Sequence, residues 1–200
     1  MTTPVYIDSC AWNYLFDTHV VMRDVFPPDE YMLYITREVE IELSETPNDG
    51  KDGSDKRPLK QFIHESIAQS GVRTTGNFGF RTYESDGTPS KHQVNLGFGQ
   101  GGFQPSKDRQ WYADKDVRAH LDGKPKRKSG LHHNQADASL GVRSFDAIVL
   151  TNEKRGKAGP LTLAAKQSGY ILYLGDLGAS GLNLKEFLRR ARHQWFGSNV

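Results

Sequence analysis

Residues 4–17, PVYIDSCAWNYLFD, run an apolar strand directly into a carboxylate, Asp8, and from there into a helical pattern carrying Trp12, Leu15 and Phe16. A charge at the end of a buried strand costs several kcal/mol unless something pairs with it, so the fold must bring partners to this point. Short apolar runs that alternate with helical patterns build a parallel sheet covered on both faces. In such sheets the ligand crevice lies outside the C-terminal ends of the strands.

The alternation continues along the chain. VYI is the first strand, and Ser9 is placed to cap the helix after it. YMLYI, residues 31–35, predicts a second strand. It leads into a helix with Thr36 as N-cap, Glu38 at the positive end of the helix dipole, and Val39 paired with Leu43. After the turn-rich stretch TPNDGKDGSDKRP, Leu59, Phe62, Ile63 and Ile67 predict a helix closed by Gly71. Periodicity then fades, and residues 72–128 are expected to form an insertion of hairpins or loop within one domain spanning 1–200. SGLHHNQADASLGV restores a helix, AIVLT and YILYL predict two further strands with a helix from Pro160 to Gly169 between them, and NLKEFLRRARHQWF closes the chain as an amphipathic helix. The expected class is α/β with a mostly parallel central sheet.

Two hundred residues with 36% apolar content suffice for one core. No apolar run has the length of a membrane span, and the opening residues lack the pattern of a secretion signal, so a cytoplasmic location is expected. The single cysteine, Cys10, excludes an internal disulfide and a Cys-rich zinc site, and it reads as a small packing residue beside Asp8. The formal charge of +2 hides an asymmetry: residues 51–130 hold 15 Lys or Arg against 9 Asp or Glu, while the remainder holds 11 against 15. An acidic body therefore carries a basic middle segment suited to attracting phosphates.

Four acids fall where such a sheet can collect them: Asp8 at a strand end, Glu42 one helical turn beyond Glu38, Asp137 in the helix after the insertion, and Glu153 two residues past AIVLT. Asp146 competes with Asp137 but reads as a turn residue. Glu38 is the substitute for Glu42 if the helix register differs. Oxygen-only donors of this kind suit Mg²⁺ or Mn²⁺, which assist phosphodiester hydrolysis by acidifying a water and offsetting charge on the departing oxygen. His132 and His133 are expected at the surface.

VYIDSCAWNYLFD, YITREVEIEL, ADASLG and AIVLTNEK, in that order, resemble the PIN domain family across residues 4–46 and 131–190. The resemblance implies a three-layer α/β/α sandwich and a metal-dependent ribonuclease, in many cases the toxin of a toxin–antitoxin pair. It implies Asp8, Glu42 and Asp137 as core metal ligands and catalytic residues, with Glu153 in the fourth acidic position and Ser9, Asn13 and Thr151 in support. The implied partners are RNA, an antitoxin protein and a second copy of the chain in a homodimer. The family more often has Asp where this chain has Glu153, and the long insertion is unusual for the compact toxins.

Within the insertion, Phe78, Phe80, Tyr83, Phe98, Phe103, Trp111 and Tyr112 are interleaved with basic residues. That mixture serves either base stacking or a satellite core. Lys124, Lys126, Arg127 and Lys128, with the basic face of the closing helix, are the candidate phosphate contacts, and Trp111 and Tyr112 the candidate stacking residues. GFGQGG neither follows a strand nor opens a helix, which sets it apart from phosphate-binding glycine loops. Two rivals stand beside the ribonuclease: a catalytically silent RNA-binding module on the same fold, and a doubly wound domain binding a nucleotide or other small phosphate ligand.

Overall fold

The computed structural model of the chain describes residues 2–79, 85–88, 90, 93–122 and 129–197. Five strands form one all-parallel sheet in the order β3-β2-β1-β4-β5: β1 (Thr3–Ile7), β2 (Tyr31–Thr36), β3 (Arg73–Thr75), β4 (Ile148–Thr151) and β5 (Ile171–Tyr173). α1 (Ala11–Asp17) and α2 (Met22–Val25) link β1 to β2. α3 (Arg37–Ser44) and α4 (Arg57–Ser70) link β2 to β3. The long passage from β3 to β4 carries α5 (Ser106–Ala113), α6 (Lys115–Leu121) and α7 (Gln135–Arg143). α8 (Pro160–Lys166) joins β4 to β5, and α9 (Leu177–Ser180) and α10 (Leu184–Phe196) follow. No helix among the described residues is long and apolar enough to cross a membrane.

The central strands are apolar because both faces are covered. Val5, Ile7, Ile148, Val149 and Leu150 have no exposed surface, and Trp12 and Leu15 of α1 join the same core. Local chemistry sets the helix limits. Thr36 accepts from the Val39 N–H at the start of α3, Gly71 (φ 64°) ends α4 in the left-handed conformation that glycine adopts freely, and Asn183 with Glu186 forms a capping box on α10. Gly169 is required for a different reason: a Cβ there would stand 2.2 Å from Ser144 Oγ.

The structure differs from the sequence reading in four places, the first being that the helix expected over SGLHHNQADASLGV begins only at Gln135, behind a turn at Asn134. Arg73–Thr75, expected within the insertion, is the edge strand of the sheet, with Thr75 beside Thr36. The expected hairpin-or-loop region contains α5 and α6, whose Trp111 and Val117 belong to the main core. Ser9 does not cap α1; Cys10 holds the N-cap position, and the Ser9 hydroxyl turns toward Glu42.

Candidate functional site at the switch point of the sheet

β1 leads left through β2 to β3, and β4 leads right to β5, so the strand order reverses between β1 and β4. The C-terminal ends of these two strands flank the crevice in which open α/β sheets place their ligands. Register puts Ile7 beside Leu150, and the Asp8 N–H donates to the Leu150 carbonyl at 3.0 Å, which carries Asp8 and Thr151 to the mouth of the crevice together.

A pocket of about 210 Å³ opens here, walled by Asp8, Glu42, Asp137 and Glu153 and completed by Ser9, Cys10, His133, Asn134 and Lys157. Each acid arrives on a separate element. Asp8 directly follows β1, Glu42 stands on α3, Asp137 lies in the first turn of α7, and Glu153 follows β4. Asn134, in the left-handed conformation at φ 58°, turns the chain into α7, and its amide donates to the His120 carbonyl at 3.2 Å. Asparagine tolerates that conformation better than most residues.

Asp8 is 2% exposed, and neutral donors answer its charge. Thr151 Oγ1 donates to Asp8 Oδ2 at 2.6 Å and Cys10 Sγ donates to the same oxygen at 2.9 Å. Thr151 in turn accepts from the Glu153 N–H at 3.1 Å, and Cys10 Sγ accepts from the Asn152 N–H at 3.2 Å. This network ties the end of β1 to the end of β4. Burial nonetheless raises the Asp8 pKa, these two donors offset part of the rise, and Glu153 and Glu42 add to it. The Cys10 thiol is raised as well, first by burial and then by the Asp8 charge, which disfavours its thiolate form.

Asp137 is pushed up to about 8, by burial first and then by the charges of Asp8, Glu153 and Glu42; Lys157 works in the opposite direction. Ser9 Oγ donates to Glu42 Oε2 at 3.0 Å and lies 3.4 Å from Asp8 Oδ1, bridging two of the acids. Lys157 Nζ is bonded to Glu153 Oε1. Asp8, Glu42 and Glu153 are thus each turned to a partner of their own. Among the described residues no three His, Cys, Asp or Glu side chains are gathered as a group that could hold a metal ion. The four carboxylates share one pocket without being drawn into a cage. They are the oxygen donors on its wall, and their mutual repulsion is what a cation placed between them would relieve.

Several expected residues stand elsewhere. Asn13 is exposed on α1 and is not on the pocket wall. Glu38 faces a neighbouring cavity with Tyr112 and Ser139 rather than the acidic pocket. Asp146 lies on the surface in an ion pair with Lys107 at 2.6 Å. Trp111 is 5% exposed and its Nε1 donates to the Ala138 carbonyl at 2.9 Å, so neither ring face is open to stack a base. Arg189 and Arg192 of the closing helix both bind Glu30, which precedes β2 and therefore lies at the opposite end of the sheet from the pocket. That face of α10 cannot feed phosphates to the acids. Lys124, Lys126, Arg127, Lys128, Phe80 and Tyr83 lie outside the described residues.

Lys157 and Asn134 are not evident as site residues from the sequence. The i, i+4 spacing of Glu153 and Lys157 is the available signal, but it falls in a loop where helical spacing carries no weight. No protein-family model, curated protein or solved structure matches this chain.

Proposed function

We propose that this chain is a divalent-metal-dependent endoribonuclease with a PIN-like, three-layer α/β/α architecture. The layers follow from right-handed crossovers, which send the helices of the leftward connections to one face of the sheet and those of the rightward connections to the other. The observation that carries the reading is the meeting of Asp8, Glu42, Asp137 and Glu153, from four separate elements, in one pocket at the switch point.

The four carboxylates are hard oxygen donors, which suit Mg²⁺ or Mn²⁺, although Cys10 and His133 also line the pocket. Such a cation supplies a water of lowered pKa and offsets charge on the phosphate and the departing oxygen. The chain's own residues do the remaining work. Asp8, fixed by Thr151 and Cys10, is the rigid member of the ligand set. Asp137 carries a proton near neutrality that it must release to act as a ligand, and Lys157 must yield its hold on Glu153. Ser9 keeps Glu42 aimed at the pocket. The basic residues 124–128 supply phosphate attraction that an acidic pocket cannot.

The test is incubation of the whole chain with a mixed RNA pool, with and without Mn²⁺, followed by mapping of the ends. EDTA-sensitive cleavage that disappears in Asp8→Asn is the expected result. Cleavage unchanged in that variant would refute the site. A catalytically silent RNA-binding module is the second reading, favoured by the grip of Lys157 on Glu153. RNA retained without cutting, in the presence of either metal, would establish it.

A further inference from the structure

Beside the acidic pocket lies a second cavity, of about 440 Å³, at the C-terminal ends of β2 and β3. The two hollows share their dividing wall. On α3, Glu42 faces the acids and Glu38, one turn earlier, faces the cavity. The approach to α7 sorts in the same way: His133, Asn134 and Asp137 line the acidic pocket, and His132, Gln135 and Ser139 line the cavity. A molecule occupying both would span about one helical turn, ~5.4 Å.

The chemistry of the cavity differs from that of the acids. Four side-chain amides, Asn77, Asn95, Gln104 and Gln135, surround the single carboxylate of Glu38, with Tyr112 as the aromatic wall. Amides, one acid and a ring present hydrogen-bonding edges around a flat apolar surface, which is the complement of a nucleobase. Burial pushes the Glu38 pKa up to about 7, against the opposing pull of its own backbone N–H, Ser139, the Arg143 charge and Thr36. A ligand offering two adjacent N–H groups to this carboxylate would replace the water that burial removes. Guanine does so with N1–H and N2–H. Uracil and adenine lack that pair of donors on one edge.

A separate feature lies at the rim. Phe98 and Phe103 are 90% and 88% exposed, and both meet Phe78 edge to face, with ring centroids 5.6 and 5.9 Å apart. Phe98 walls a further hollow, and Asn95 lines both that hollow and the cavity, which places the aromatic platform beside the cavity. Exposed rings beside a base-sized hollow suit a single strand, since every base has a face to stack.

We propose that the cavity receives one unpaired guanine of an RNA strand, read along its Watson–Crick edge by Glu38, with a neighbouring base on the Phe78–Phe98–Phe103 platform and the adjoining phosphate at the four carboxylates. The inference rests on the ribonuclease reading for its last part only. The pocketed guanine fixes the position of the cut.

Three measurements on the full chain test the parts of the assignment separately. Binding of guanosine, adenosine, cytidine and uridine is measured at pH 8 in EDTA, where metal chemistry is silent. Guanosine is expected to bind at least tenfold more tightly than the others and to lose that advantage in Glu38→Gln, whose amide matches the adenine edge instead. Asp8→Asn should leave guanosine binding intact. End mapping with Mn²⁺ is then expected to place cuts at a fixed step from guanine in the wild type and to lose that preference in Glu38→Gln. Phe98→Ala, at a site too exposed to affect folding, should weaken binding of a guanine-containing oligonucleotide about fivefold or more. Guanosine binding without cleavage of any RNA would keep the pocket and remove the nuclease. Cleavage indifferent to guanine and to Glu38→Gln would remove the pocket and keep the nuclease. Equal binding of all four nucleosides, or a platform that engages only protein, would overturn the proposal.

Discussion

Asp137→Asn should stabilise the metal-free protein, by an amount that depends on pH. Burial and neighbouring charges hold the carboxyl at about 8, against an ordinary aspartate value of 3.8. The folded chain therefore keeps a proton that the unfolded chain releases, and stability falls as pH rises from about 4 to about 8. Holding that proton costs the fold about 1.4 kcal/mol for every pH step above the ordinary value, so at pH 7, roughly three steps above 3.8, the ceiling is about 4 kcal/mol. Water at the open side of the pocket and small relaxations are expected to halve it, leaving a gain of about 2 kcal/mol for the asparagine variant, or about 4–8 °C in Tm. The assay is thermal unfolding of both proteins in EDTA at pH 4.5, 7 and 8.5. The two curves should nearly coincide at the lowest pH and separate as pH rises. Saturating Mn²⁺ should reverse the order, since a cation bound at one hundred times its Kd adds about 2.7 kcal/mol to the protein that still has all its ligands. A variant less stable than wild type at pH 8.5 in EDTA would show that the acids do not repel one another and would refute the crowding argument.

Thr151→Val removes the hydroxyl that donates to Asp8 and accepts from the Glu153 N–H, at a position with no exposed surface. A loss of about 2–3 kcal/mol is expected in urea unfolding, and an unchanged midpoint would deny the network its role. Trp111→Ala should cost about 3–5 kcal/mol through the cavity it opens, with RNA affinity of the folded fraction unaltered. A normal melting temperature with lost RNA binding would return Trp111 to the surface. Replacing Lys124, Lys126, Arg127 and Lys128 together by Gln should weaken RNA binding and flatten its salt dependence by up to about 0.7 in slope per phosphate contact removed. An unchanged slope would place the phosphate contacts elsewhere.

The interior strands and most of the helix ends were legible because they obey simple patterns. VYI, YMLYI and AIVLT are short apolar runs, and both faces of β1 and β4 are buried. Gly71 and Pro160 mark helix limits by their backbone geometry. β3 was not legible because Arg73–Thr75 is three polar residues on a sheet edge, where no apolar pattern is needed. α5 and α6 were hidden for a related reason: each buries one large apolar residue fully, Trp111 or Val117, with a single partly buried companion, Tyr112 or Leu121, too short a pattern to stand out. Of the candidate site, Asp8 and Glu153 could be found because strand ends are recognisable, whereas Glu42 and Asp137 stand on helices and were singled out by the spacing from Glu38 and by the family resemblance. Ser9, Cys10 and Lys157 could not be given their contacts from sequence, because all three depend on which side chain crosses from a neighbouring element.

Four carboxylates in one pocket run against stability. Asp8 keeps two neutral donors and still has a raised pKa, Asp137 is driven to hold a proton near neutrality, and Glu153 is clamped by Lys157. Each of these is a way of bearing negative charge that the fold would be more stable without. The arrangement would make physical sense in the proposed metal centre, where Asp8, Glu42, Asp137 and Glu153 would hold a cation whose charge offsets theirs. Glu38, four residues before Glu42 on α3, lines the neighbouring cavity. Its carboxyl is governed by burial and by its own backbone N–H, Ser139, Arg143 and Thr36, with none of the four acids among the leading influences. One helix therefore presents two carboxylates in different surroundings, one facing the acids where a phosphate would react and one in the cavity where a base would be read. Coupling of cleavage position to base identity then needs no moving part, because the rise of α3 from Glu38 to Glu42 sets the distance between them.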